Sequence, residues 1–440
     1  MTSALLKQEI DREYLTATRG EGVFLYDSTG KRYLDGSSGA MTANIGHGVR
    51  EVAEIVSRQA GCLAFSYRTQ FTNEPAEELA RRLTELAPGD LNWAFFVNSG
   101  SEGTEYAMRA AVGYWRELGH PGKVKILGRA TSYHGMTMGA LSMSGHTARR
   151  PDYGTLLHSF ALGPTVDASR LAYSGEDEVA YGERAAAEFE QTIIEEDPST
   201  IAAVIVEPIV GAAGGVLVPP KGYLTRLREV CDRQDILLIL DEVITGMGRT
   251  GEWFASSNEE IVPDMLVIGK GLSAGYSPVA GVLIREKVVE AFREHSRVAP
   301  FGHTFSGNPL GAAVCLSVID YIEKNCVLEN VRSRGEQLKT GLLELEQKHS
   351  RMVAVRGRGL LLGFELSKNA SRNGQLRLGV TGASFADVCF REGLLVYPAG
   401  IAPRNNAVIV SPPLTISETE VELLIGLLDS ALLKIESEDS

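Results

Sequence analysis

Residues 236–243 read Ile-Leu-Leu-Ile-Leu-Asp-Glu-Val, and residues 265–272 read Met-Leu-Val-Ile-Gly-Lys-Gly-Leu. Each is a short apolar run with one charged side chain just past its end, Asp241 in the first and Lys270 in the second. Unbroken apolar runs of this length are what strands buried on both faces look like. Four more stand at 94–97, 124–127, 201–206 and 279–284. Helical patterns lie between them. One covers 76–86, with Asn73 as its cap and Pro75 in the first turn. Another covers 101–118, with Ala107, Ala110, Ala111 and Tyr114 at core-facing spacing. This alternation predicts an α/β domain over residues 50–305, with a mainly parallel sheet flanked by helices.

The chain ends read differently. Residues 22–36, GVFLYDSTGKRYLDG, predict a hairpin turning at Thr29-Gly30. After Pro309 come a long helix, a tighter segment over 357–366, and a last helix from about Glu418. Residues 1–49 and 306–440 are expected to form one small α+β domain beside the large one. The stretch 164–182 has no clear period and reads as an irregular loop.

Composition narrows the class of function. The 440 residues are 44% hydrophobic and 22% charged, an ordinary globular balance with room for a large core. No apolar run approaches the roughly 20 residues a membrane helix needs, and the N-terminus does not read as a signal peptide. Five scattered cysteines without CxxC spacing argue against disulfides and structural zinc, so no metal is expected and a cytoplasmic location is. A formal charge of −13 argues against nucleic-acid or membrane partners.

Four segments carry chemistry. Asn98-Ser-Gly-Ser-Glu-Gly103 follows a strand and opens a helix, where outward-pointing amides suit a phosphate; it also reads as a plain turn capped by Ser99 or Ser101. Asp241 stands at the carboxyl end of a strand, where α/β sheets bind ligands, and a buried carboxylate needs a cationic or hydrogen-bonding partner. A protonated pyridine nitrogen is one such partner; capping of the next segment is the other use for Asp241. Lys270 lies between Gly269 and Gly271, which permit close backbone approach, and desolvation there makes its amine a nucleophile toward an aldehyde. Tyr133, in Thr131-Ser-Tyr-His-Gly135, offers an aromatic face, though a Tyr-His pair alone is more often structural.

Taken together these segments resemble the class III (ω-type) aminotransferases of fold type I, over nearly the whole chain. The matching pieces are NSGSEGTEYAMR at 98–109, SYHGMTMGALS at 132–142, VEPIVGAAGG at 206–215, LDEVITGMGRTG at 240–251, IGKGL at 268–272 and GHTFSGNPLG at 302–311. The resemblance implies pyridoxal 5′-phosphate as cofactor, held as a Schiff base by Lys270, which also moves the substrate proton. It implies that Gly100 and Ser101 bind the phosphate, Tyr133 and Val243 cover the two faces of the ring, and Asp241 pairs with the ring nitrogen. Glu207 then supports the site from behind, and Thr304 reaches the cofactor of a neighbouring subunit in a homodimer with composite sites. Arg249 is expected to make a structural ion pair.

The sequence also departs from relatives that bind a second carboxylate. Their arginine before the Pro-Pro motif is replaced by Ile409, their switching glutamate by Ala212, and a substrate-facing aromatic by Ala40 or Met41. The tryptophan pair of the biotin-pathway members is missing. A less polar amine or ω-amino donor is therefore expected, with Met41 lining its site. The keto-acid acceptor, pyruvate on this reading, would be held by Arg404. Because one cofactor scaffold serves several reactions, a decarboxylase, aminomutase or lyase is the competing reading, and a catalytically silent relative a third.

Overall fold

The computed structural model describes residues 4–259, 261–367, 380–401 and 405–437. At its centre is a seven-stranded sheet. In spatial order the strands are Trp93–Val97, Ala280–Ile284, Met265–Ile268, Leu237–Asp241, Ile201–Val206, Lys125–Arg129 and Leu162–Gly163. Ala280–Ile284 runs antiparallel to both its neighbours; the other adjacent pairs are parallel. Every residue of the four strands from Ile201 to Ile284 is buried, as apolar runs without alternation require. The expected run at 124–127 is the strand Lys125–Arg129, starting one residue later and ending two later, where Gly128 and Arg129 pair with a short edge strand at Leu162 and Gly163.

The helices flanking this sheet begin where their caps place them. Glu74–Leu86 starts with Asn73 Oδ1 accepting from the Ala76 amide at 3.0 Å. Gly100–Glu117 starts with Ser99 Oγ accepting from the Glu102 amide at 3.2 Å. This second helix buries Tyr106, Ala107, Ala110, Ala111 and Trp115 against the sheet, while Tyr114 is only half-buried. The stretch 164–182 is more ordered than its sequence suggests. It contains the single-turn helix Ala168–Leu171, and the helix Glu178–Glu195 begins inside it, capped by Asp177. That helix's first turn faces solvent and so shows no apolar period.

Both chain ends meet beside the sheet. Phe24–Asp27 and Arg32–Asp35 form the expected hairpin, with Gly30 at φ +88°. The Asp27 carboxylate accepts from the Thr29 amide at 2.8 Å and from the Tyr33 hydroxyl at 2.9 Å. Leu394–Leu395, from the far end of the chain, joins this hairpin in parallel. A second sheet orders Met352–Arg358, Leu361–Leu366, Ala407–Val410 and Tyr397–Ala399, all antiparallel. One apolar cluster holds Val23, Leu34 and Ile45 together with Val331, Phe364, Phe385 and Leu432.

The long helix expected after Pro309 is in fact two, Pro309–Lys324 and Val327–Lys348. They break at Cys326, which takes φ +48°; apolar residues continue on both sides and hide the joint from a reading of periodicity. The first of them serves two cores. Val314, Val318 and Ile322 join the cluster of the chain ends, whereas Ala312, Cys315 and Ile319 pack with Leu79, Phe254 and Leu266.

Arg249 holds these parts together, and not by the expected ion pair. Its fully buried guanidinium donates to the Pro412 carbonyl at 2.6 Å and Asn44 Oδ1 at 2.6 Å, with longer bonds to the Leu360 carbonyl and Ser38 Oγ. All four acceptors are uncharged. Burial pulls its pKa down to about 9, opposed by the charge of Asp35. Among the described residues, no helix is long and apolar enough to cross a membrane.

Candidate active site

Five strands deliver side chains to one edge of the sheet, the edge where α/β folds bind ligands. Trp93–Val97 leads into Ser99-Gly100-Ser101, and Lys125–Arg129 into Tyr133-His134. Ile201–Val206 leads into Glu207, Leu237–Asp241 ends on Asp241 itself, and Met265–Ile268 leads into Lys270.

Asp241 is buried and fully engaged on its protein side. Its Oδ2 lies 2.8 Å from His134 Nδ1, and its Oδ1 accepts from the Val243 amide at 3.1 Å. His134 is held in turn. Its amide donates to Ser144 Oγ and its carbonyl accepts from Thr104 Oγ1, each at 2.8 Å. The other ring nitrogen, Nε2, is buried without a hydrogen-bond partner among the described residues. Sequence reading gave His134 no role, because the carboxylate it orients is 107 positions away. Only the fold brings them together.

Glu207 clamps two loops. Its Oε1 accepts from the Tyr133 amide at 2.9 Å and its Oε2 from the Gly211 amide at 2.8 Å, while its backbone carbonyl accepts from Arg129. Burial raises its pKa. Tyr133 stands half-buried above this clamp. The His146 ring meets it edge-on with centroids 6.0 Å apart, and the Arg149 guanidinium lies 4.5 Å from its ring centroid.

Lys270 sits at φ +43°, at the start of a single tight turn. Burial brings its amine down to about 8 from the usual 10.5, against the pull of the Asp241 and Glu207 charges, which favour the protonated form. Of the two glycines beside it, Gly271 is required by space. A Cβ on Gly271 would fall 2.1 Å from Asn44 Nδ2. The Val243 side chain packs on two bare backbones, since a Cβ on Gly100 or on Gly269 would come within 3.0 Å or 3.4 Å of its Cγ1. The Gly100 and Ser101 amides belong to a helix's first turn and have no intrahelical acceptor. Ser101 Oγ accepts from the Met136 amide at 3.1 Å, tying this turn to the Tyr133 loop.

These groups fit pyridoxal 5′-phosphate. A low-pKa amine suits its aldehyde, a buried carboxylate its ring nitrogen, free helix-start amides its phosphate, and Tyr133 with Val243 its apolar faces. Met41 and Ile409 lie in one buried apolar cluster with Ile209, Val216, Ile244 and Leu361, against which Tyr397 and Ala399 pack. Ala212 is buried nearby, its carbonyl accepting from the Gly400 amide at 2.8 Å. Thr304 is not gathered into this group; it stands exposed in a loop tied down by Arg68 and Arg109 through the carbonyls of His303 and Phe301. Arg404 lies outside the described residues.

Comparison with known proteins agrees with this geometry. The family described as Aminotransferase class-III matches residues 6–432. An uncharacterized aminotransferase of Bacillus subtilis, YodT, is 41% identical, with 99% of each chain covered. The putrescine–pyruvate aminotransferase of Pseudomonas aeruginosa is 35% identical over 93% of this chain and 88% of its own. The crystal structure of an (S)-enantioselective omega-transaminase from Thermomicrobium roseum superposes with a TM-score of 0.90 at 37% identity, covering 96% of this chain and 93% of that one.

The lowered pKa of Lys270 sets a pH dependence. Below about 8 its amine carries a proton and is not nucleophilic; above, it is neutral. In cofactor-free protein, the rate at which Lys270 takes up an aldehyde should rise through a midpoint near pH 8. Asp241→Asn removes a charge that favours the proton, so its midpoint should be lower still. Midpoints near 10.5 in both proteins would mean that the amine is solvated.

Proposed function

The chain belongs to the class III aminotransferases, pyridoxal 5′-phosphate enzymes that move an amino group from an amine to a keto acid, and within that family we propose that it takes simple or ω-amino donors and passes their nitrogen to pyruvate. One observation carries the donor reading. The positions where carboxylate-binding relatives place polar or aromatic groups are here Met41, Ala212 and Ile409, all buried, with Met41 and Ile409 in one apolar cluster. A donor carboxylate set against this wall would lose its water without gaining a partner. Two of the similar proteins, the putrescine–pyruvate and the taurine–pyruvate aminotransferases, are named for donors without an α-carboxylate and for pyruvate.

When bound, the cofactor supplies an aldehyde that receives the amino group and a ring that holds the electrons released as the substrate proton leaves. The chain's own residues handle positions and protons. Lys270 Nζ takes the proton from the amine-bearing carbon of the donor, and in the second half of the cycle gives one to the carbon of the keto acid. Its pKa near 8 leaves both protonation states accessible at neutral pH. The Asp241 carboxylate, fixed by His134 and the Val243 amide, would hold a proton on the ring nitrogen of the bound cofactor. Glu207 holds the Tyr133 loop in place through the Tyr133 amide.

The reading extends to a homodimer with composite sites. Its support is the exposed loop that carries Thr304, where Phe301 and Phe305 are 71% and 58% exposed and Phe65 meets Phe305 edge-on. A patch of exposed aromatic rings is the usual mark of a partner surface. Five free cysteines are in keeping with a reducing cytoplasm.

Half-reactions test the chemistry. Given an ω-amine without a carboxylate and no keto acid, the loaded enzyme should release one equivalent of carbonyl product per site and stop until pyruvate is added. Continued turnover without pyruvate would indicate a lyase, and no product a silent relative. Simple amines should serve at least as well as 4-aminobutyrate. For assembly, sedimentation of the active enzyme should give a dimer; an active monomer contradicts the composite site.

A further inference from the structure

A keto acid brings a carboxylate to a site whose donor wall is apolar, so a cation must meet it. We infer that this cation is Arg149, whose guanidinium lies over the Tyr133 ring and receives the carboxylate of the 2-oxo acid acceptor. The inference rests on the aminotransferase reading above and names a residue that neither the sequence motifs nor the apolar cluster assigned.

Arg149 is set up differently from the arginines around it. Arg150, its neighbour, spends its guanidinium on the carbonyls of Leu141, Ser142 and Ser144 at 2.7–3.1 Å, a plain staple. Arg170 and Arg184 are paired with Asp167 and Glu176. Among the described residues Arg149 has neither kind of partner: no carboxylate pairs with it, and it engages Tyr133, its guanidinium 4.5 Å from the ring centroid and interacting with the ring's hydroxyl. A half-buried guanidinium has five N–H donors, and one interaction with a tyrosine leaves others for a planar anion.

Its place is also fixed. The Arg149 amide donates to the His146 carbonyl at 3.0 Å in a single tight turn, and the His146 ring packs edge-on against Tyr133. His146 Nδ1 is buried without a hydrogen-bond partner among the described residues. Burial, with the charge of Arg149 second, pushes the His146 pKa down to about 4, so that ring adds no competing charge at neutral pH. The Arg149 charge is also felt at the reacting end of the site, where it helps to lower the Lys270 amine. A cation held by Tyr133 and sensed by the proton-moving lysine stands beside the site that a keto acid must enter.

The test separates the two half-reactions. In Arg149→Gln, the pyruvate concentration needed for half-saturation of the second half-reaction should rise about ten- to a hundred-fold, the worth of a charge-assisted hydrogen bond. The half-saturating concentration of an amine without a carboxylate should change less than about threefold, and Arg149→Lys should recover part of the loss. Binding of propanoate, an unreactive carboxylate, followed through the absorbance of the bound cofactor, should weaken in parallel and without turnover. Arg404→Ala serves as the comparison. Equal losses in both half-reactions would show that Arg149 merely props Tyr133 or holds the cofactor. An unchanged pyruvate requirement in Arg149→Gln, with the whole loss in Arg404→Ala, would place the carboxylate on the other arginine. Either result overturns the inference, while wild-type transfer to pyruvate would leave the aminotransferase reading intact.

Discussion

An amine does not stay in a desolvated place unless something nearby favours it, and Lys270 is kept there by two buried carboxylates. Burial disfavours its charged form, Asp241 and Glu207 favour it, and the balance leaves a pKa near 8 rather than 10.5. Each carboxylate must be held in its own right, or its desolvation would be uncompensated. Asp241 is held by His134 and the Val243 amide, Glu207 by the Tyr133 and Gly211 amides. Two of these supports are local, but His134 and the Tyr133 amide come from the loop after Lys125–Arg129. The amine, its two carboxylates and that loop are four segments far apart in sequence gathered at one site.

Arg249 extends the same logic to the chain ends. It lies a few residues past Asp241, and its guanidinium reaches Asn44 from the N-terminal segment and Pro412 from the C-terminal one. Asn44 is itself pressed against Gly271 and donates to the Met247 carbonyl at 3.0 Å. The segments that bring Met41 and Ile409 to the apolar cluster are thereby tied to the loops that carry the carboxylate and the amine. A charge with only neutral acceptors is costly to bury, and its four bonds explain why it is tolerated.

Much of this was legible in the sequence because strands buried on both faces leave an unmistakable trace. The runs ending at Asp241 and Lys270 stand in the structure within a residue of where they read, and Asn73 and Ser99 cap the helices they precede. What escaped did so for physical reasons. Local pattern carries no information about His134 meeting Asp241, a contact made by sheet order alone. The break at Cys326 is a single backbone angle inside continuous apolar spacing. Arg249 looked like half of an ion pair because the sequence lists charges and not carbonyls. Nothing local in the sequence sets Arg149 apart from its neighbour Arg150; the fold alone brings it to Tyr133.

The central claim is that Lys270 is the amine on which the cofactor is held. Borohydride reduction of the native, cofactor-loaded enzyme, followed by proteolysis and peptide mapping, tests it most directly. The account predicts a single pyridoxyl label, on the peptide containing Lys270. A label on any other lysine, with Lys270 unmodified, would contradict it.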